Sequence, residues 1–552
     1  YSFALVLAAV LLGIVAGAGL ASRLLGAADR LRFRVSIAAS LLAVAIVASG
    51  LALRGVPELS LWLVTVFGSH AAGGGFIVEA ALCVLVILPA ALALGTLFPL
   101  GLALAEPHLP AWSIGAVLAS NTVGAVAGAL GATFVLLPGL GLGTSLGAMA
   151  ALAGLVAFAT ARRPLAVGGA VASLLIVAAV AAFAPRLELR WRERSAERVL
   201  FEREGAAATV LVTADAEGRK RLRVNGQYSL GGTAGLLLER RQAHLPLLLH
   251  PEPRDVLVIG VGTADTLGAV LAHPVATVDG VELIAEVLEA AALFHEENQG
   301  ALQDPRVRLF VDDARSHLLA SDRRYDVILS DLYLPWTAGA ASLYSRELFE
   351  LGRAHLRRGG HFAQWLPLHQ LAVPDLESIV ATFLSVFPTA QLWLAYHRSD
   401  TPLALLVGSV DPQGGIAPVP AMRLDATALR ERAGDARLAR ALRAAGFVEP
   451  QDVAPLYVAS ERQLGAAVAR APIITDDRPG LEFSAPSAYF RQPALGAENL
   501  TWLAAHLDPG DAPVTGAAPA SFVLRGTLLA AQLALLTGDR PAELEAYLRA
   551  IV

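Results

Sequence analysis

Apolar residues run almost without interruption to about residue 185 and then give way to short alternating strand patterns, so the chain reads as two halves of different character. Runs long enough to cross ~30 Å of hydrocarbon fall at about 1–22, 34–53, 77–105, 113–137, 141–160 and 164–184, which predicts a transmembrane helical bundle of about six spans over 1–185. The stretch 59–76 is short and interrupted by His70 and glycines, and is expected to be interfacial or re-entrant. Glycines four residues apart (Gly13 and Gly17, Gly124 and Gly128, Gly143 and Gly147) predict close helix packing. Apart from Glu79 the spans hold almost no ionisable side chain, and Asn121 is the main candidate for a buried polar group. Ion or proton paths are marked by such groups, so transport is the least supported reading. Arginines cluster after the first, fifth and last runs; counting 59–76 as a crossing puts the first and last clusters on one side.

Beyond Arg186 the period changes. ATVLVT (208–213), a turn near Gly218 and RLRV (221–224) ending in Asn225-Gly226 form a hairpin signal within a small β-element spanning 186–250. From 251 to 490 strands alternate with helical stretches: VLVIG (256–260), ATVDGVEL (276–283), RVRLFV (306–311), YDVILSD (325–331) and HFAQWL (361–366). That alternation predicts a doubly wound parallel sheet, a Rossmann-like α/β domain. Beyond about 496 the chain reads as helical, and 522–538 with the short helix after Pro541 resembles one hairpin of a tetratricopeptide-type array, a protein-binding device.

Composition adjusts this picture in few places. The 552 residues are 55% hydrophobic with mean hydropathy +0.56, as expected of a membrane protein. A formal net charge of −5 leaves no basic footprint for nucleic acid. Cys83 is the only cysteine, so neither an intrachain disulfide nor a cysteine metal cluster is expected. The first residue is Tyr1, already inside an apolar run, and a piece upstream is expected.

In doubly wound sheets ligands sit beyond the carboxyl ends of the strands, and four of those ends carry chemistry. Gly260 and Gly262 remove side chains where backbone amides can approach a ligand. Glu282, 22 residues after Gly260, is placed to accept the hydroxyls of a ribose. Asp313, followed by Ala314, can accept a hydrogen bond from an adenine amino group. Asp331 closes YDVILSD. A single acidic strand end reads most simply as a cap, whereas four in register favour a nucleoside-type site.

The order of HPEPRDVLVIG (250–260), VDGVEL (278–283), DPRVRLFVDDAR (304–315), YDVILSD (325–331), SLYSRELFEL (342–351) and AQWL (363–366) resembles the spermidine synthase family, within the class I S-adenosylmethionine-dependent transferase fold. With SNTVGAVAGALGATFVLLPGLG (120–141) and TDDRPGLEFSAP (475–486), the chain more closely resembles the bacterial membrane-bound branch, in which a multi-spanning domain precedes a spermidine synthase-like domain. The resemblance implies that Gly260, Gly262, Thr263, Glu282, Asp313 and Ala314 hold S-adenosylmethionine or its decarboxylated form, without a metal. It makes Asp331 the catalytic aspartate, which orients a substrate amine and takes its proton. Thr263 stands where the family's glycine loop carries an acidic residue, and Asp265 lies two positions later. Leu334 replaces a second, amine-binding aspartate, so the cost of desolvating a polyamine argues against putrescine as acceptor.

The acceptor pocket is expected to draw on Gln227, Tyr228, His244, Asp265, Tyr333, Trp336 and Gln364, with core packing as the simpler account of Tyr333, Leu334, Trp336 and Trp365. A less charged small-molecule or membrane-delivered acceptor fits such a lining. Expected partners are the lipid bilayer, this acceptor, and proteins bound through the C-terminal helices or the bundle. The expected location is the bacterial inner membrane, with the α/β domain on the cytoplasmic side where the donor is supplied. Two functions compete: group transfer (aminopropyl, methyl or a relative) at Asp331, and a non-catalytic subunit of a membrane assembly that retains the transferase fold.

Overall fold

The computed structural model describes the chain except residues 1, 26–27, 68–73, 106–111, 184–196, 227, 332–334, 338, 396–400, 410–423, 433, 489–490, 509–513, 516–519, 540 and 543–552. Two compact units result, 1–194 with 204–209, and 195–203 with 210–552.

The first unit is helical: α1 (Ser2–Arg23), α2 (Ala28–Phe67), α3 (Gly74–Ala105), α4 (Trp112–Gly131), a π-helical turn at Ala132–Leu136, α5 (Leu137–Thr160) and α6 (Pro164–Phe183). Among the described residues four of its helical segments are long and apolar enough to cross a membrane, the last running from Gly115 to Thr160 through the π-helical turn and a kink. Gly141, at φ 74° inside α5, is where that segment departs from helical geometry. Residues 59–67 extend α2, with no glycine or proline between Glu58 and Gly68, and 68–73 of the stretch lie outside the described residues. The interior is built of small side chains, with Ala21, Ala39, Ala43, Ala150, Ala157 and Ala170 fully buried, while large apolar ones such as Val15 and Leu175 face outward.

Of the glycine pairs, Gly13 and Gly17 do bring helices together. A Cβ at Gly17 would lie 2.3 Å from the Leu92 carbonyl oxygen, and one at Gly95 2.5 Å from that of Ile14. Gly124 and Gly128 have nothing within 4 Å of a Cβ and Asn121 is exposed rather than buried, because α4 lies apart from the packed helices; Gly147, on the outward side of α5, likewise meets nothing within 4 Å.

The second unit begins with a four-stranded sheet in the order β1 (Arg198–Glu204), β2 (Thr209–Ala214), β3 (Lys220–Val224), β4 (Tyr228–Gly232). Asn225 and Gly226, both at positive φ, make the β3–β4 turn. Helix α7 (Leu236–Leu249) leads into the main sheet. That sheet contains β5 (Asp255–Ile259), β6 (Thr277–Glu282), β7 (Val307–Val311), β8 (Tyr325–Ser330), β9 (Leu356–Pro367), β10 (Gln391–Leu394), β11 (Leu403–Ser409) and, past a two-residue β12 (Leu424–Asp425) outside it, β13 (Tyr457–Ser460). Its order is β13-β10-β11-β9-β8-β5-β6-β7. β5 to β9 are parallel and the β9–β11, β11–β10 and β10–β13 pairs antiparallel.

Alternate residues of each central strand feed two apolar layers. Val256 and Val258 pack with α7 and α8 (Asp265–Val270) on one face. Leu257 and Ile259 pack with α10 (Ala314–Leu319), α11 (Arg346–Ala354) and α12 (Val373–Val386) on the other; α9 (Ala285–Ala291) links β6 to β7. The chain order reverses between β5 and β8, and this switch point is where such sheets open a crevice.

The C-terminal helices Gln492–Ala505 and Ala520–Thr537 pair with each other. Leu500, Leu503 and Leu529 join the core of the α/β domain; the short helix expected after Pro541 lies almost entirely outside the described residues.

Candidate active site

Three strand ends meet at the switch point. β5 runs into a loop in which Gly260, Gly262 and Ala264 have φ of 88°, 54° and 66°. Glycine adopts this left-handed backbone freely, whereas Ala264 holds it at a cost of about 1–2 kcal/mol. The loop is pinned from β6: the Glu282 carboxylate accepts from the amides of Val261 (3.1 Å) and Gly262 (3.3 Å) with one oxygen, and from Ile284 (3.0 Å) with the other. Three of a carboxylate's roughly four acceptor positions are thereby used by the loop and the β6 end.

At the end of β7, Asp313 caps α10, its Oδ1 accepting from the Ser316 amide at 3.0 Å, and remains exposed; Ala314 behind it is buried. Asp331 follows β8, its amide donating to the Ile259 carbonyl at 3.0 Å, so its backbone is tied to the end of β5. Its Oδ1 accepts from Gln242 Nε2 at 2.7 Å. Gln242 is itself buried, and its carbonyl accepts from Trp365 Nε1 at 3.1 Å. Trp365 is therefore core, holding α7 against β9.

α7 supplies a second residue to the site. Glu239, three positions before Gln242 and on the same face, accepts from the Gly232 amide (3.2 Å), and its Oε2 meets Thr263 Oγ1 at 2.9 Å. Thr263 Oγ1 also meets Asp265 Oδ2 at 2.8 Å. Burial, and then the neighbouring Asp265, push the Glu239 carboxyl well above the usual range; burial also raises Asp265. Neither Glu239 nor Gln242 stands out in sequence. They sit in the run Glu239-Arg240-Arg241-Gln242 of LLLERRQAHLPLLL, where four consecutive polar residues give no means of telling which face the site.

Several residues expected in the acceptor pocket lie elsewhere. His244 is fully buried, its Nδ1 2.9 Å from His273 Nε2, and burial lowers its pKa to about 3; both are interior residues, because α7 turns this face to the core. Gln364 is fully buried below Ser330, accepting from its hydroxyl at 2.8 Å. Asp265 is buried beside Glu239 rather than in a pocket wall. Trp336 is half-buried against the core layer that contains α11. Gln227, Tyr333, Leu334 and the side chain of Tyr228 lie outside the described residues.

The TDDRPGLEF segment holds the chain that follows Asp331. Asp476 pairs with Arg315 and donates its amide to Glu347 (3.1 Å), the Arg346 amide donates to the Ile474 carbonyl (3.0 Å), and Glu482 accepts from the Gly339 amide (2.7 Å).

Residues 238–398 match the family model for the spermine/spermidine synthase domain. Over 167 residues the chain is 34% identical to polyamine aminopropyltransferase 2 of Pseudomonas aeruginosa, covering 30% of this chain and 48% of that protein. Over 154 residues it is 30% identical to the polyamine aminopropyltransferase of Bacillus subtilis, covering 28% and 55%. The crystal structure of spermidine synthase from Thermotoga maritima aligns at 20% identity and TM-score 0.37, over 45% of this chain and 88% of that one. The chain spans about half the length of these curated relatives. Its C-terminal α/β domain is spermidine synthase-like.

Proposed function

We propose that this protein is an integral membrane aminopropyltransferase-like enzyme whose α/β domain binds decarboxylated S-adenosylmethionine and transfers its aminopropyl group to an amine. The observation that carries this reading is Asp331, tied through its backbone to the glycine loop and through its side chain to Gln242 at the switch point. The relatives named as polyamine aminopropyltransferases support the same chemistry.

In the reaction the acceptor nitrogen attacks the propyl carbon beside the sulfonium. The C–S bond breaks with its electron pair going to sulfur, methylthioadenosine leaves as a neutral thioether, and the proton of the attacking amine passes to Asp331. Positioning the amine in line with the C–S bond supplies much of the rate. Gly260 and Gly262 would give the donor close backbone approach, Glu282 would take a ribose hydroxyl, and Asp313 the adenine amino group. Leu334, in place of an amine-binding carboxylate, favours an acceptor with less charge than putrescine.

Four long apolar helices with outward-facing Val15, Leu85 and Leu130 support a bilayer anchor, and donor supply favours the cytoplasmic face of a bacterial inner membrane. Leu334 also favours a second reading, a non-catalytic subunit that keeps the fold.

Calorimetric titration of the detergent-purified chain with decarboxylated S-adenosylmethionine, S-adenosylmethionine and methylthioadenosine tests the donor assignment. Micromolar binding of the decarboxylated donor, weakened at least about tenfold by Glu282→Ala, is expected. Tighter binding of S-adenosylmethionine would move the reaction to methyl transfer, and binding of none by the folded chain would favour the subunit.

A further inference from the structure

Contacts inside the helical unit fix which ends its helices share. Ser36 Oγ donates to the Ala157 carbonyl at 2.7 Å, Ala39 is buried with Ala157 and Ala170, and Val47 with Ala150 and Val177. α2 and α6 therefore run side by side in one direction and α5 runs against both, so the turn from α5 to α6 lies beside the start of α2. Ala21 packs with Leu31 and Leu100, which brings the last turn of α1 to the same end. The arginines that follow the first and fifth apolar runs meet there: Arg163 lies over the Phe33 ring, 5.6 Å from its centroid. Residues 20–34 and 158–166 together carry six arginines and a single acidic residue, Asp29.

Two of the six have structural partners. Arg34 donates to the Leu24 and Leu25 carbonyls and so closes the end of α1, and Arg163 has Phe33. Arg23, Arg30, Arg32 and Arg162 form no hydrogen bond or ion pair among the described residues. Arg30 stands in the first turn of α2, where the helix dipole disfavours a cation and favours an anion, and Arg32 follows in the second. Beside them α6 opens on Pro164 with no acidic residue in its first turn. Orientation in a bilayer accounts for basic loops on one side, but not for a cation set against the dipole of a helix start. Guanidinium groups gathered without counter-charge over two helix N-termini make an anion site. Its rim borders on apolar surface, since Leu20, Leu25 and Leu165 are exposed.

We propose that this end of the helical unit binds anionic phospholipid headgroups, the phosphate held by Arg30, Arg32 and Arg162 over the starts of α2 and α6 and the acyl chains lying against Leu165. The inference rests on the bilayer-anchor part of the reading above and not on the reaction. The apolar border selects a lipid over a soluble phosphate, because a free anion gains nothing from it. A zwitterionic headgroup brings a cation of its own into the arginine cluster and binds less well.

The test is native mass spectrometry of the full detergent-purified chain titrated with dioleoylphosphatidylglycerol and dioleoylphosphatidylcholine, with glycerol phosphate as soluble competitor. Reconstitution into phosphatidylcholine vesicles checks the anchor on the same samples. The anionic lipid should bind at least about tenfold more tightly than the zwitterionic one, and a hundredfold excess of glycerol phosphate should not displace it. Gln at Arg30, Arg32 and Arg162 together should bring the two lipids within about twofold, while Lys at the same positions keeps most of the preference. These side chains have no partner to lose, so the Gln chain should reconstitute like wild type. Equal affinity of wild type for the two lipids, a preference that survives the triple Gln substitution, or displacement by glycerol phosphate would overturn the site and leave the anchor intact. A folded wild-type chain that does not enter vesicles would overturn both.

Discussion

Gln242 and Asp331 share a part-buried hydrogen bond of 2.7 Å that orients the carboxylate. In Gln242→Leu the bond is lost, and kcat should fall by roughly 10- to 100-fold with a smaller change in KM. An unchanged kcat in steady-state kinetics of Gln242→Leu would contradict that positioning role. Glu239 bears on stability. Its folded pKa lies above its unfolded one, so its contribution is fully present below about pH 4.5 and is lost as pH rises through the folded value. Glu239→Gln, always neutral, should therefore raise the melting temperature of the unliganded domain at neutral pH by roughly 3 °C and bring no gain at pH 4.

At the scale of elements, helix contacts separate the glycine pairs that sequence spacing could not tell apart. Gly17→Val places a Cβ against the Leu92 carbonyl and should cost about 1–3 kcal/mol in detergent unfolding. Gly124→Val on the exposed α4 should stay within about 0.5 kcal/mol of wild type. Comparable losses at both positions would contradict the helix arrangement. The central strands were legible because residues buried on both faces leave near-continuous apolar runs: VLVIG anticipated β5 within a residue, and YDVILSD anticipated β8. β9 begins five residues before HFAQWL, since the polar Arg357 and Arg358 hide its exposed start. The acidic strand ends were equally legible, because strand-end position is a property of topology. Glu239 and Gln242 were not, because their approach depends on how α7 is rotated about its axis, and His244 was misplaced for the same reason.

At the scale of the whole molecule, a unit of long apolar helices is joined in one chain to a spermidine synthase-like domain. The proposed chemistry stands or falls with Asp331. The direct measurement is release of methylthioadenosine from decarboxylated S-adenosylmethionine by wild type and Asp331→Asn, in the presence of putrescine and a panel of less charged amines, with donor binding measured on the same samples. Release by wild type is expected, strongest with an amine less charged than putrescine. Asp331→Asn should lose at least about a thousand-fold of it, with donor affinity within a few-fold of wild type. Equal release by the two proteins, or tight donor binding by wild type with no release for any amine, would contradict the proposed chemistry.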